Sequence, residues 1–426
     1  MVSIRVYCVI VVMFSVWLSG CVGNRAIEAP TEYLSPAGWQ DPKSFLTHDS
    51  YAAYAAAVTD EVARFRIPFN PEQQALEATL ASPVELPLGE ACQGESAGIA
   101  ILVHGLADTA FSLRDIGLVL AEICYRSRVV LLPGHGTRSG DLLTTRVSDW
   151  QKTLNYLIDQ AVGESDIVVV GGFSLGGVLT LDAALRRPDD IDGVIGISPA
   201  YYLSSERLVK WTPWVAPFMR WVDRGLADDP LRYEAMPTRA VAETWRAMQQ
   251  MHRSMNQHGP VRMPWMLTHS IDDAVIVPEQ NETLWRSQAM HPGSRLVRFV
   301  SDSPSGNAGS TDVHQENPDD ERELSLPGNS KEGRVLALTH LAIHQSPDNP
   351  HYGVRGRYRN CGRGMPRDSA EVTLCEESDE VWYGLWSTER EAGRPMAFST
   401  FNPSFDQLAE QIRQFATQIL VTEKRQ

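Results

Sequence analysis

The 426-residue sequence lacks an excess of basic residues: 38 lysines and arginines stand against 53 aspartates and glutamates, for a formal net charge of −15. Such an acidic chain is repelled by phosphate backbones, so we expect no nucleic-acid partner. Beyond the extreme N-terminus there is no apolar run long enough for a membrane-spanning helix. With 43% hydrophobic and 21% charged residues, the rest of the chain has the composition of a globular protein. Disordered and polytopic membrane classes are therefore excluded.

The sequence also lacks the Cys-x-x-Cys pairs and the histidine-rich tracts that are typical of zinc sites. No motif in it indicates a bound cofactor, and no internal repeat is visible. We therefore expect neither a metal nor a cofactor, and any chemistry must come from the side chains and the backbone.

The first 21 residues have the layout of a cleavable export signal. Arg5 precedes an apolar stretch, Val6 to Leu18, which is too short for a comfortable transmembrane helix. The next residues, Leu18-Ser19-Gly20-Cys21, resemble the bacterial lipobox, in which the cysteine is acylated and the bond before it is cleaved. The resemblance implies a signal peptide over residues 1–20, a lipid such as palmitate on Cys21, and attachment to a membrane.

The residue after this cysteine is Val22, whereas an aspartate there often retains Gram-negative lipoproteins at the inner membrane. Its absence favours the outer membrane of a Gram-negative cell envelope. An ordinary signal peptide, or an uncleaved anchor with a chance cysteine, is the alternative. Residues 21–96 are predicted to be a tether followed by an N-terminal helix over Asp49 to Arg66, which Pro68 closes.

Export changes the interpretation of the other cysteines, because compartments outside the cytoplasm favour disulfides. Once Cys8 leaves with the signal peptide, four cysteines remain besides the lipidated one: Cys92, Cys124, Cys361 and Cys375. Four cysteines allow three pairings. Proximity in the sequence favours Cys361 with Cys375, which leaves Cys92 with Cys124.

From residue 97 onward, short β-branched runs alternate with helical patterns. The apolar runs are GIAILVHG, RVVLLPGHG, DIVVVGGFS, DGVIGISPA, MPWMLTHS and SRLVRFV. Helical patterns separate the early ones, at Phe111 to Tyr125, Val147 to Gly163 and Leu175 to Arg187. Continuous apolar strands that alternate with helices predict an α/β domain, here over residues 97–420, with a mostly parallel, doubly wound sheet covered on both faces.

Three segments interrupt this alternation. Residues 201–262 contain four tryptophans with several methionines and prolines, and they predict a helical cap inserted between two strands. Its apolar side chains either pack the cap onto the sheet or form an apolar roof over the active site. Residues 301–333 are polar and acidic, which predicts a flexible surface loop. Residues 345–400 hold the last cysteine pair and predict an irregular or β-rich elaboration before a closing amphipathic helix at 404–420.

A candidate nucleophile lies in Gly172-Phe173-Ser174-Leu175-Gly176, which fits the pattern Gly-x-Ser-x-Gly. The pattern alone is weak, but a buried-strand pattern precedes it and a helical pattern follows it. Ser174 is therefore predicted at a tight strand-to-helix turn, where flanking glycines relieve the crowding. The alternative is a structural serine in a glycine-rich turn.

Two turns are predicted to supply the backbone amides that would stabilise an oxyanion. The run ending in His104-Gly105-Leu106 closes the first clear strand with a sharp turn, so the amides of Leu106 and Leu175 are our candidates for an oxyanion hole. His104, and His135 in the later Pro-Gly-His-Gly turn, are predicted to organise these loops rather than to transfer protons.

A serine nucleophile needs a base and an orienting carboxylate, which arrive in this kind of sheet in the order Ser, Asp, His. Asp273 follows the strand pattern of MPWMLTHS and is the predicted acid, with the neighbouring Asp272 as the alternative.

The predicted base is His340, because it follows the last apolar run, Val335 to Leu338. His344 and His351 are the competing candidates, and His314 in the polar loop is weaker still.

Taken together, the HGL, PGHG and GFSLGG motifs, the Asp-x-Val turn and the late histidine resemble the α/β-hydrolase fold, specifically serine hydrolases similar to monoacylglycerol lipases and bacterial carboxylesterases. The resemblance covers residues 97–300, then His340 and the final helix. It implies an esterase or lipase that cleaves hydrophobic esters through a Ser174–Asp273–His340 triad and an acyl-enzyme. The sequence departs from the pattern in its lipobox, its insertion before His340 and its cysteine-bearing segment.

Two other functions fit the same residues. An acyltransferase or thioesterase that acts on envelope lipids would use the same triad. A catalytically silent lipoprotein that binds a hydrophobic ligand would not need it.

Overall fold

A computed structural model of the chain describes residues 28–38, 45–301, 320–361, 369–385 and 395–423. The predicted signal peptide, the lipidation site Cys21 and His314 lie outside these ranges. Within the described ranges, no helix combines the length and the apolar character that crossing a membrane requires.

The strands in the described ranges are β1 Val84–Glu85, β2 Gly98–Val103, β3 Tyr125–Val130, β4 Val168–Phe173, β5 Gly193–Ile197, β6 Trp221–Asp223, β7 Met236–Pro237, β8 Trp265–Ser270, β9 Arg295–Val300, β10 Glu323–Pro327, β11 Trp382–Gly384 and β12 Met396–Phe398. The α-helices are α1 Tyr51–Phe65, α2 Gln74–Ala81, α3 Arg114–Glu122, α4 Val147–Glu164, α5 Leu175–Arg186, α6 Glu206–Val209, α7 Thr212–Val215, α8 Thr238–His258, α9 Pro278–Gln288, α10 Ala370–Glu377 and α11 Phe405–Glu423.

Eight strands form the central sheet, in the order β1-β3-β2-β4-β5-β8-β9-β10. Only the edge strand β1 is antiparallel to its neighbour, and the other pairs are parallel. The predicted mostly parallel, doubly wound sheet is therefore confirmed. The chain passes from β2 to β3 on one side and then to β4 on the other, so the carboxyl ends of β2 and β4 lie side by side. Ligands bind at such a switch point.

Helices cover both faces of the sheet, so strands such as β2 and β4 are buried at every residue. On one face, α1, α4, α5, α8 and α9 pack around side chains such as Trp150 and Met251. On the other face, α3 and α11 pack around Ile116 and Ile412. Burial on both sides explains why these strands are continuous apolar runs and do not alternate with polar residues.

The predicted N-terminal helix is present as α1. It begins after Ser50, whose side-chain oxygen accepts a hydrogen bond from the amide of Ala53 at 3.3 Å. A serine at this position satisfies one of the free amides of the first turn. The helix ends at Phe65, three residues before Pro68.

The segment predicted as a cap, 201–262, lies between β5 and β8, but it has two different parts. Its long helix α8 belongs to the main core, where Met248, Met251 and Met255 are buried against the helical layer. The short helices α6 and α7 and the residues next to them instead leave large apolar side chains exposed, namely Leu208, Trp211, Trp214 and Phe218. These three methionines are therefore core residues, and the large exposed apolar side chains of the segment lie before β7.

The prediction of a surface loop over residues 301–333 is wrong for part of this segment. Glu323–Pro327 form β10, which pairs in parallel with β9 along its full length. Leu324 packs against the core and Leu326 is buried in it, and this short apolar alternation is hidden among polar neighbours in the sequence. Residues 302–319 lie outside the described ranges.

Both predicted disulfides are present in the structure. Cys92 is bonded to Cys124 with their Cα atoms 5.4 Å apart, and Cys361 to Cys375 with theirs 5.8 Å apart. The second bond ties α10 to the segment that precedes it, and the two-stranded sheet of β11 and β12 completes the elaboration after His340. The expectation of an irregular region with some β structure describes this segment well, apart from α10.

Candidate active site

Ser174 lies at the sharp turn between β4 and α5, in a backbone conformation that few residues other than glycine adopt. Its φ of 52° and ψ of −114° place it outside the regions that L-residues prefer. Such strain persists only where the surroundings impose it, and it is concentrated at functional sites. Ser174 remains partly exposed, whereas Phe173 and Leu175 on either side are buried.

The flanking glycines are required by close backbone approach. A methyl group on Gly172 would overlap the backbone of Gly176, and one on Gly176 would overlap the carbonyl oxygen of Val103 at the end of β2. The turn can therefore press against β2 only because both positions lack a side chain. This contact brings the serine next to the turn that follows β2.

Two amides near Ser174 have no acceptor within the described part of the chain, those of Leu106 and Leu175. Leu175 is the first residue of α5, whose N-terminus carries partial positive charge. Leu106 lies in the turn after β2, where a side chain on Gly105 would approach the Cβ atom of Ser174 to 3.2 Å. Free amides in these positions can donate to an oxyanion on a carbonyl that Ser174 attacks.

His104 and His135 hold the turn that carries Leu106. The Nε2 atom of His104 accepts from the amide of Leu132 at 3.0 Å, and Nε2 of His135 accepts from the amide of Ala107 at 3.1 Å. Each Nδ1 faces a backbone carbonyl, so each ring has one donor and one acceptor in use. This arrangement fits the loop-organising role predicted from the sequence.

Burial lowers the pKa of His135 to about 4, although the carbonyls of Pro133 and Leu132 oppose the shift. Between about pH 6.5, where an unfolded histidine titrates, and pH 4, the unfolded chain binds a proton that the folded chain does not. As the pH is lowered from about 6.5 to 4, we therefore expect this residue alone to reduce the free energy of unfolding by up to about 3 kcal/mol. Urea unfolding at several pH values measures the slope.

The variant His135→Gln should reduce this slope even if it lowers stability at every pH, since glutamine does not titrate. The exposed His258 offers a matched control, and His258→Gln should keep the wild-type slope. An unchanged slope in His135→Gln would contradict the prediction.

Asp273 and His340 lie on opposite sides of the predicted insertion 301–333 in the sequence, and the fold brings their side chains together. Asp273 follows β8, and its Oδ2 atom accepts a hydrogen bond from Nδ1 of His340 at 2.7 Å. Its Oδ1 atom accepts from the amides of Val275 and Ile276 at 2.9 and 3.2 Å. Both side chains are buried or nearly so. This is the geometry in which a carboxylate orients an imidazole and fixes its tautomer.

The charge state of Asp273 follows from its partners. Burial alone would raise its pKa, but the interaction with His340 and the hydrogen bonds from two backbone amides outweigh this effect and hold the pKa below its ordinary value. The carboxylate therefore stays ionised at neutral pH and can stabilise a positive charge on His340.

The imidazole of His340 packs against Phe173, the residue before Ser174, with ring centroids 4.8 Å apart. Within the described part of the chain, Ser174 Oγ makes no hydrogen bond to His340. Hydrogen bonds of this kind are often long in unliganded enzymes and shorten when substrate binds.

The competing candidates have other surroundings. His344 is buried against Phe173 at 4.2 Å, and burial lowers its pKa well below the ordinary range. His351 instead pairs with Asp229, its Nε2 atom lying 2.8 Å from Oδ1. Asp272 is buried next to Asp273, and its amide donates to Ser270. The carboxylate that holds the candidate base is that of Asp273.

Sequence reasoning missed the second His–Asp pair, because its members are 122 residues apart. Nothing in either local sequence links them. Within the described ranges, no cluster of His, Cys, Asp and Glu side chains has the arrangement of a metal site.

Comparison with known proteins agrees with this architecture. The family model described as serine aminopeptidase, S33 matches residues 94–226, a stretch that runs from the approach to β2 into the segment after β5. The chain has the α/β-hydrolase fold. The matched stretch contains Ser174, Leu106 and Leu175 but neither Asp273 nor His340.

Similar proteins with known activities are also found. The chain is 26% identical over 192 residues to the thermostable monoacylglycerol lipase of Bacillus sp. (strain H-257), a match that covers 44% of this chain and 74% of the lipase. It is 24% identical over 189 residues to the mitochondrial palmitoyl-protein thioesterase ABHD10 of Homo sapiens, covering 43% of this chain and 59% of the thioesterase.

Among solved structures, the monoacylglycerol lipase of Paleococcus ferrophilus superposes with a TM-score of 0.42 at 20% identity, covering 51% of this chain and 88% of the lipase. A soluble variant of the Saccharomyces cerevisiae monoglyceride lipase has a TM-score of 0.45 at 18% identity, covering 51% of this chain and 82% of the lipase.

Proposed function

We propose that this α/β-hydrolase is a serine esterase or lipase that cleaves carboxylic esters through an acyl-enzyme on Ser174. The observation that carries the proposal is the hydrogen-bonded Asp273–His340 pair beside a strained, partly exposed serine. The matches to a monoacylglycerol lipase and to the S33 family support hydrolysis of an acyl bond.

In this mechanism His340 takes the proton from Ser174 as the serine oxygen attacks the ester carbonyl. Asp273 stabilises the imidazolium that forms, and the amides of Leu106 and Leu175 donate to the carbonyl oxygen as it becomes negative. The tetrahedral intermediate then expels the alcohol, which takes the proton from His340. Water, deprotonated by the same histidine, releases the acid and restores the serine.

The exposed apolar side chains of α6, α7 and the residues next to them support a hydrophobic acyl group. Trp214 and Phe218 are 75% and 92% exposed, in contrast to the buried methionines of α8. The segment that carries them begins beside the acid, because Leu203 pairs with Ile276, whose amide is bonded to Asp273. An acyl chain that lies across this surface would start close to the nucleophile. The lipobox resemblance supports a lipid anchor on Cys21, and Val22 after the cysteine favours the outer membrane.

Thioester hydrolysis is the second candidate, favoured by the match to the palmitoyl-protein thioesterase. The same triad serves both reactions, since only the leaving atom differs. Matched p-nitrophenyl esters and thioesters of one acyl group separate the two by their kcat/KM values.

The proposal is tested by reaction of the purified chain with a fluorophosphonate probe and by hydrolysis of p-nitrophenyl butanoate. We expect one label per chain on the peptide that contains Ser174, and loss of ester hydrolysis in proportion to labelling. Heat-denatured protein should not react, because the probe needs an activated serine. A folded chain that neither reacts nor hydrolyses the ester would favour the silent binding protein.

A further inference from the structure

A cleft lined mainly by polar and charged residues borders the candidate active site. Leu341, which follows His340, lies in its wall, and so does Asp108, two residues beyond Leu106. On the cap side the wall includes Tyr233, whose amide donates to the carbonyl of Ala107 at 2.8 Å. The cleft therefore adjoins both the base and the turn that would hold the oxyanion.

Most of the cleft lining comes from segments outside the stretch that matches the S33 family model, although Asp108 and Ser112 lie within that stretch. One wall is formed by residues 228–234, in the middle of the predicted cap, and the other by the segment after His340 that carries the last cysteine pair. Hydrogen bonds join the two walls: Asp229 accepts from His351 and Tyr352, both at 2.8 Å, and Asp228 accepts from Tyr358 at 2.9 Å. These hydrogen bonds fix the two walls of the cleft relative to each other.

An arginine without a close partner lies in this cleft. The guanidinium of Arg232 makes no hydrogen bond or ion pair with any described residue, although Asp108 and Asp229 lie near enough to influence its charge. The oxygens of Asp229 are occupied by other donors. A partly buried guanidinium with unused N–H groups calls for oxygen acceptors from a ligand.

The lining excludes several ligand classes. Leu341 is its only aliphatic side chain among the described residues, so an acyl chain would strip water from polar groups and return no hydrogen bonds. Four carboxylates, those of Asp108, Asp228, Asp229 and Glu234, repel an anion. A cationic group would be repelled by Arg232 and would leave the N–H groups of its guanidinium without an acceptor.

A neutral group with many hydroxyls satisfies all of these conditions. Each hydroxyl can accept from Arg232 and donate to a carboxylate, and the rings of Tyr352 and Tyr358 offer flat apolar faces. We infer that this cleft binds the alcohol part of the ester as a neutral polyhydroxylated group, a sugar ring, so that the substrates are acylated carbohydrates. The inference rests on the proposed function for its ester bond, but the binding itself does not depend on it.

Binding is measured on the full chain carrying Ser174→Ala, so that no turnover occurs, by saturation-transfer NMR and calorimetry. The probes are methyl α-D-glucopyranoside, glucuronate and glucosamine. We expect the neutral glucoside to bind at least about tenfold more tightly than the charged analogues. Absence of glucoside binding, or tighter binding of either charged analogue, would overturn the inference.

Variants test whether the binding occurs in this cleft. Arg232→Met and Tyr358→Phe should each weaken glucoside binding by about tenfold, whereas Arg253→Met, on the exposed face of α8, should not. Tyr358→Phe keeps the ring and removes only the bond to Asp228, so a folding defect in Arg232→Met would not leave the test without a result. Equal binding in both cleft variants and the wild type would refute the assignment.

Turnover separates this inference from the proposed function. In the active chain, Arg232→Met should lower kcat/KM for methyl 6-O-butanoyl-glucoside about tenfold more than for ethyl butanoate. Equal losses on both esters would count against a sugar site, while hydrolysis of ethyl butanoate by the wild type would still support an esterase. If neither ester is cleaved but the glucoside binds, the proposed function fails and the cleft assignment stands.

Discussion

Replacement of Ser174 by alanine is expected to lower kcat for p-nitrophenyl butanoate by about 10⁴-fold to 10⁶-fold. Alanine fits the same backbone turn but cannot form the acyl-enzyme, so only the amides and the binding surface remain to assist attack by water. The strained φ of 52° at this position is imposed by the packing of β4 and α5 and does not depend on the hydroxyl. The variant should therefore fold, and circular dichroism and thermal unfolding would check this.

The matched control is Ser287→Ala on the exposed side of α9, where the serine hydroxyl donates only to the carbonyl of Leu284. It should keep wild-type kcat and KM. If Ser174→Ala retained more than a small percentage of wild-type turnover in a preparation free of wild-type protein, another nucleophile would have to be sought.

The second large effect is expected for Asp273→Asn, which should lower kcat by about 10⁴-fold. Asparagine is nearly the same size, so the turn over residues 273–276 keeps its shape. Its amide, however, carries no negative charge to stabilise an imidazolium, and its N–H group can hold His340 in the tautomer that cannot accept the serine proton. The loss should appear in kcat and only weakly in KM, because substrate does not contact this carboxyl group.

Asp272→Asn is the control, since it makes the same chemical change one residue away. The hydrogen bond between His340 and Asp273 predicts that this variant stays within about tenfold of the wild type. If Asp272→Asn were the more damaging change, the orienting carboxylate would have been assigned to the wrong residue.

The sequence alone was sufficient to predict features that depend on nearby residues. The strand-to-helix turn at Ser174 follows from the glycines around it, and the parallel sheet follows from apolar runs separated by helical patterns. Both disulfides followed from spacing and elimination. For the turn and for the Cys361–Cys375 bond, the deciding residues lie close together in the sequence.

Other features depend on how distant segments meet. His340, His344 and His351 lie within 12 positions of one another, and only the path of the loop determines which ring reaches Asp273. The role of α8 in the core could not be separated from that of α6 and α7, because all of them carry large apolar residues. The sequence around Arg232 did not indicate a binding site, because the residues near its side chain come from three separate parts of the chain.

The position of the cleft also has a consequence for how proteins with this fold can diverge. Most of its lining comes from residues 228–234 and from the segment after His340, whereas Ser174 and both candidate oxyanion amides lie within the stretch that matches the family model. Selection can therefore exchange the group that is recognised without disturbing the group that reacts. If the cleft binds part of the substrate, proteins that share a stretch like 94–226 can keep the same serine turn and differ in the group that they recognise.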